Sequence, residues 1–147
     1  MGKPDFMLSI PKDPEVKRRA RWSKKTGRFY KPGGDHQYAL DVAHYWREKY
    51  GKIAPIRGPV ALSITFVIKR PKRLMRRKDP PGRIMCAKRP DLTNLVQAIE
   101  DALNNIAWVD DGQLWSKSEQ KVYASMDEHP HVEIAIWEFD DEGAVEG

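Results

Sequence analysis

A single cysteine, Cys86, among 147 residues excludes an internal disulfide and any cysteine-cluster zinc site. It falls in a stretch expected to be loop, where a buried or incidental thiol is the ordinary reading. Also missing is any apolar run of transmembrane length, and the first residues, MGKPDFMLSIPKD, carry only a short apolar stretch rather than a secretory leader. A cytoplasmic protein with no membrane partner is therefore expected. Internal repeats and low-complexity domains are absent as well. With 40% hydrophobic content, the chain is expected to form one domain, 1–147, around a real core.

Acidic residues are scarce in one part of the chain only. Up to Pro90, 24 Lys and Arg stand against 7 Asp and Glu, whereas from Asp91 onward 2 stand against 14. The overall charge of +5 thus conceals a basic and an acidic half. The basic runs are Lys17-Arg18-Arg19-Ala20-Arg21, Lys24-Lys25, Lys69-Arg70-Pro71-Lys72-Arg73, Arg76-Arg77-Lys78 and Lys88-Arg89. Any one of them reads as solvated surface or a flexible arm. Their number, and their position beside carboxylates, point to a nucleic-acid partner held by phosphate neutralisation, with affinity that falls steeply with salt. Lys88, Arg89, Arg76, Arg77, Lys72, Arg73, Arg19, Arg21 and Lys24 are the candidate phosphate contacts.

Patterning predicts an α+β domain: a mixed sheet with two main helices packed on it. A strand is expected over Asp5 to Ile10, then a basic, turn-rich arm over 11–35 that is irregular or hairpin-like. A helix over Asp35 to Tyr50 carries Tyr38, Val42, Tyr45 and Trp46 at helical spacing and stops at Gly51. VALSITFVIK, Val60 to Lys69, is β-branched and aromatic and reads as a central strand. Pro71, Pro80, Pro81 and Gly82 make 70–89 a long basic loop. Strands are expected over Gln113 to Ala124 and Val132 to Phe139, with a frayed acidic tail at 140–147.

Between those strands lies the densest signal, KRPDLTNLVQAIEDALNNIAWVDDGQ. Leu95, Ala98, Ile99, Ala102, Leu103 and Ile106 recur at intervals of three and four, which defines an amphipathic helix. Carboxylates gather at its two ends, within reach of a divalent metal. Taken singly, each has a plain structural reading. Asp91 is placed to cap the first turn, and Asp110-Asp111-Gly112 is a turn signature.

The order Pro-Asp-x-x-Asn-Leu, Asp-Ala-Leu-Asn, Asp-Asp-x-Gln resembles the RusA family of Holliday junction resolvases. The resemblance is specific over about 26 residues and looser over most of the chain. It implies that Asp91 and Asp111 bind the catalytic metal, with Asp110 as the neighbouring acid of the pair and Asn94 orienting the site. It also implies a homodimer, because a four-way junction is nearly two-fold symmetric and needs two symmetric cuts. The family's Asp-x-Asp-Asn is here Asp91-Leu92-Thr93-Asn94, and a lysine one turn later is Gln97. One carboxylate and one cation are therefore missing together. At about 100° per residue, Glu100 shares the face of Thr93 and Gln97, with Asp101 on the neighbouring edge, so either acid is a candidate replacement, Glu100 having the better angle.

The activity this implies is a Mg²⁺-dependent, structure-selective endodeoxyribonuclease that resolves Holliday junctions by paired symmetric phosphodiester hydrolysis, with Mn²⁺ as a second metal. The alternative is a branched-DNA-binding protein with attenuated catalysis. Trp22, Phe29 and Tyr30, interleaved with Arg and Lys, suit either stacking on unpaired bases or packing in a core or dimer. His129 and His131 are expected to be loop histidines without partners, and His36 and His44 structural. Trp46, Trp108, Trp115 and Trp137 are assigned mainly to cores.

Overall fold

The structure, a computed structural model, describes residues 2–16, 21–30 and 35–140. Arg19 and the tail beyond Asp140 lie outside the described residues, as does the side chain of Arg21. Among the described residues, seven strands and two α-helices follow in order: β1 Phe6–Ile10, β2 Arg21–Ser23, β3 Arg28–Tyr30, α1 Asp35–Tyr50, β4 Val60–Ile68, β5 Ile84–Met85, α2 Leu92–Leu103, β6 Leu114–Tyr123 and β7 His131–Glu138. Five strands form one mixed sheet in the order β1-β7-β4-β6-β5, and β2 and β3 form a separate hairpin. This is the expected α+β architecture.

Central β4 follows from its composition. Val60, Ala61, Leu62, Ile64, Phe66 and Val67 are buried, and β4 pairs parallel with β6 and antiparallel with β7. A parallel neighbour requires a crossover, and α2 lies on it. Leu95, Val96, Ile99, Ala102 and Leu103 bury the apolar face of α2, each worth about 1.5–3 kcal/mol for the larger side chains as an upper bound. Tyr38, Val42 and Trp46 of α1 join the same core, and the two helices pack on each other. Gly51, at φ 68°, ends α1 by donating its N–H to the Arg47 carbonyl at 2.7 Å, as a left-handed C-terminal cap does.

Two expectations change here. The long loop expected over 70–89 carries short regular elements: a 3₁₀ turn spans Lys72–Leu74, and β5 pairs with Val122 and Tyr123 of β6. Its anchor is Arg70, 5% exposed, whose guanidinium donates to the carbonyls of Leu74 (2.8 Å), Gly82 (2.9 Å), Ala124 and Pro80. A residue counted in a basic run thus holds the loop's own backbone rather than a phosphate. Trp115 is the second change. The β4–β6 register shifts between Val60 and Ala61, leaving Trp115 without a β4 partner and 60% exposed, in edge contact with Phe139 at 5.4 Å. Trp46 and Trp108 are buried as expected.

Candidate metal and nucleic-acid site

Asp91 occupies the N-cap position of α2 with extended backbone, φ −68° and ψ 131°, and its side chain makes no capping hydrogen bond. Only its carbonyl serves the helix, accepting from Leu95 N at 3.1 Å. The capping role open to it in sequence is unfilled, so an exposed carboxylate stands uncommitted to the first turn. The segment leading into it is fixed from the sheet. Lys121 of β6 donates its ammonium to the carbonyls of Pro90, at 2.6 Å, and Lys88, while the Lys88 and Arg89 side chains remain exposed.

At the other end of α2 the chain turns back at once. Asn105 adopts the left-handed region, φ 66°, which an Asn tolerates better than most residues, and donates its N–H to the Trp108 carbonyl at 2.8 Å. Buried Trp108 then reaches forward, its indole N–H donating to Asp111 Oδ1 at 2.8 Å. Asp110 and Asp111 part roles at this turn. Asp110 accepts from Gly112 N through Oδ2 at 2.9 Å and forms a capping box with Gln113, which accepts from Asp110 N at 2.7 Å. Gln113 also donates to the carbonyls of Ile56 (2.7 Å) and Gly58 (2.8 Å). The Asp-Asp-x-Gln sequence is thus a clamp: Asp110 and Gln113 build the turn, and Asp111 is oriented by Trp108.

Glu100 lies near this second end. Its carboxylate, 15% exposed, accepts from Lys117 of β6 at 2.8 Å. That hydrogen bond, against the opposing effect of burial and with further attraction from Glu100, Glu119 and Asp111, holds the Lys117 ammonium above its ordinary pKa. Glu100, Lys117 and Asp111 therefore form one electrostatic group. Of the remaining candidates, Thr93, Gln97 and Asp101 are exposed and Asn94 is half-buried.

Both ends do not belong to one cluster. Twelve helical residues separate them, about 18 Å at the usual rise, with Lys121 marking the level of Pro90 on β6 and Lys117 that of Glu100. Asp91 sits at one end of this rod, Glu100 lies about one turn short of the other, and Asp111 follows beyond it. Among the described residues, the metal-capable set whose ligand atoms do converge, within 4.8 Å, is Glu128, His131 and Glu133. It lies elsewhere, and Arg83 fills it, donating to Glu128 Oε2 at 2.6 Å and Glu133 Oε2 at 2.7 Å. His131 is consequently no partnerless loop histidine. It opens β7, and its Nε2 lies 2.8 Å from Glu133.

Lys72, Arg73, Arg76 and Arg77 are exposed along the 70–89 loop, Arg76 in an ion pair with Asp79 at 3.4 Å. Lys24 is exposed on the β2–β3 hairpin. Sequence reasoning missed Lys117 and Lys121. The signal was there, since they are the two cations of the acidic half and stand four residues apart on one strand.

Residues 11–137 match the family described as Endodeoxyribonuclease RusA. The chain belongs to that family. An uncharacterized protein of Bacillus subtilis (strain 168), YqaN, is 28% identical over 136 residues, covering 86% of this chain and 91% of that protein. RusA membership implies a nuclease of the Holliday junction resolvase kind, binding branched DNA and using a divalent metal. No helix among the described residues is long and apolar enough to cross a membrane.

Proposed function

We propose that this RusA family member is a Mg²⁺-dependent, structure-selective endodeoxyribonuclease that acts as a homodimer and resolves four-way junctions by paired symmetric hydrolysis. Asp91 is the observation that carries the reading: a carboxylate at a helix start that makes no capping bond, directly behind the exposed cations Lys88 and Arg89. The residues suit a hard cation. Asp91 and Asp111 are oxygen donors, the latter keeping Oδ2 beyond the oxygen bound by Trp108, and Glu100 already draws one positive charge, Lys117, to itself. Mg²⁺, when bound, neutralises charge building on the phosphoryl oxygens and lowers the pKa of an attacking water. Mn²⁺ suits the same donors.

The length of α2 between the two ends supports a site shared between protomers. A single α2 holds Asp91 away from Asp111, so a site using both draws Asp91 from one protomer and the partner's Asp111. Two-fold symmetry then yields two equivalent sites, which suits two symmetric cuts. Within each, Trp108 orients Asp111, Lys121 fixes the backbone ahead of Asp91, and Lys88 and Arg89 hold the phosphate strand. Asn94, half-buried one turn in, steadies the helix start beside the acid. Asp101 stands next to Glu100 as a further acid of that helix end.

A second reading, a branched-DNA-binding protein with attenuated catalysis, is favoured by the neutral, exposed Thr93 and Gln97 following Asp91. One experiment separates them. Purified protein is incubated with a synthetic four-way junction, a linear duplex and a single strand under Mg²⁺, Mn²⁺ or chelator; metal-dependent paired nicks in the junction are expected. Asp91→Asn and Asp111→Asn proteins, each inactive alone, are then mixed and allowed to exchange subunits. A shared site regains one intact centre per mixed dimer and nicks one strand. No recovery despite confirmed exchange places both acids in one protomer, and junction binding without cutting under either metal selects the second reading.

A further inference from the structure

We propose that the β2–β3 hairpin is a stacking wedge for unpaired bases, with Trp22 and Phe29 as the platform and Lys24, Lys25 and Arg28 on the flanking phosphates. Trp22 and Phe29 are directly opposed across the hairpin, their ring centroids 5.2 Å apart at an interplanar angle of 71°. They are 55% and 72% exposed. Core packing, open to them in sequence, is thereby excluded within the chain. Among the described residues, the hairpin pairs with no strand of the main sheet.

A cross-strand aromatic pair on a two-stranded hairpin keeps flat apolar surface open to a partner from outside the chain. What surrounds the rings identifies their partner. From Arg21 to Tyr30 there are four cations and no acid, and Lys24, Lys25 and Arg28 are all exposed. Gly27, at φ 64°, closes the turn by donating its N–H to Ser23 O at 2.9 Å, so Lys24 and Lys25 lie in the loop at the tip, separated from the Trp22–Phe29 pair by the Ser23–Arg28 pair. Flat apolar faces ringed by cations fit a polyanion whose bases are free to stack, and fully paired duplex offers no such faces. A second copy meeting this one hairpin to hairpin would bring like charge against like charge. The junction context rests on the nuclease reading above; the preference for unpaired bases does not.

The test uses the full-length protein with Ca²⁺ in place of Mg²⁺, so that binding is read without cutting. Probes are a four-way junction carrying 2-aminopurine beside the branch point, a single-stranded oligonucleotide carrying 2-aminopurine, and a paired duplex. Binding affinity and the change in 2-aminopurine fluorescence are measured for the wild type, for Trp22→Leu with Phe29→Leu, which keeps an apolar cross-strand pair without a flat face, and for Trp22→Tyr. The double variant is expected to lose about tenfold or more in affinity for the junction and the single strand, to lose the fluorescence change, and to bind duplex as before. Trp22→Tyr retains both.

Unchanged junction and single-strand binding in the double variant overturns the wedge. So does an equal loss on duplex, or a shift to monomer in sedimentation, which makes the rings a subunit contact. If the wild type prefers single strands but not junctions and the double variant loses that preference, the wedge stands and the resolvase reading falls. If the wild type prefers neither over duplex, both fall.

Discussion

Two sets of acids in this protein differ in how they are held: one converges around Arg83, and the other is spread along α2. Around Arg83, Glu128, Glu133 and His131 converge within 4.8 Å, and each carboxylate is engaged by the guanidinium. Around α2, Asp91 makes no cap bond, Asp111 is held through one oxygen by Trp108, and Glu100 is paired with a single lysine ammonium rather than a guanidinium fork. The more compact cluster is the better metal cage by distance and the worse by chemistry. The Arg83 guanidinium satisfies two carboxylates with matched geometry, and displacing it gives up four charge-assisted hydrogen bonds. Oxygens left over, rather than oxygens gathered, distinguish the set suited to metal and phosphate.

The largest expected effect breaks that comparison at its root. Asp91→Asn or Asp111→Asn is expected to lower junction cleavage by about 10³-fold, equivalent to about 4 kcal/mol of transition-state stabilisation, with junction affinity retained, because a ligand is lost and no repulsion is added. Glu128→Gln with Glu133→Gln is expected to leave cleavage unchanged. Single-turnover cleavage and gel-shift binding on one junction read both. Loss of cleavage in the second pair, with cleavage kept in the first, would move the catalytic metal to the Arg83 cluster.

What was legible beforehand follows the same division between local and distant partners. The elements were readable because their signals are local: the period of Leu95 to Leu103, the β-branched run of β4, the Gly51 stop. The ends of the four expected strands fell within one residue of those found, His131 at the start of β7 included, whereas β5 was not expected. Asp91 and Asp111 were readable as candidates because the motif spans few residues. Their separation was not, since it depends on α2 running straight and on β6 returning beside it. Nor were the pairings of Arg83 with Glu128 and Glu133, 45 and 50 residues away, or that of Lys117 with Glu100. Arg70 misled for a physical reason: in sequence, a buried arginine satisfied by carbonyls is indistinguishable from one awaiting a phosphate.

An intermediate effect sharpens the comparison within the α2 set. Glu100 and Asp101 are adjacent in sequence, yet only Glu100 is oriented by Lys117 toward the group that includes Asp111. Glu100→Gln is expected to raise the Mg²⁺ concentration for half-maximal cleavage about tenfold, and Asp101→Asn to leave it unchanged. A metal titration of cleavage rate distinguishes them. If both variants cut at wild-type rates with an unchanged metal requirement, neither acid completes the site, and Glu100 serves only as the partner of Lys117.

The smallest effect is on stability, and it is expected only at the Arg83 cluster. Hydrogen bonds from Arg83, opposed by burial and helped by the Ser125 amide, hold the Glu128 carboxyl down at about 2, against an ordinary value of 4.5. A carboxylate whose pKa is lowered on folding contributes stability that is complete above its unfolded pKa and is lost as pH falls through the folded one. That window runs from about 4.5 down to about 2. His131 acts in the opposite sense. Burial works against its charged form, but the His129 carbonyl and the Glu133 carboxylate outweigh it and raise its pKa, so its contribution is complete below 6.5 and is lost as pH rises through the folded value. Arg83→Met removes the hub. These side chains are partly exposed, so solvent limits the loss to about 1 kcal/mol at neutral pH, a Tm lower by about 2–4 °C. Thermal unfolding from pH 7 to pH 2 is expected to show wild type and variant converging as Glu128 protonates, with cleavage at pH 7 unaffected. A constant offset across that range would mean that Arg83 stabilises through its packing and not through Glu128.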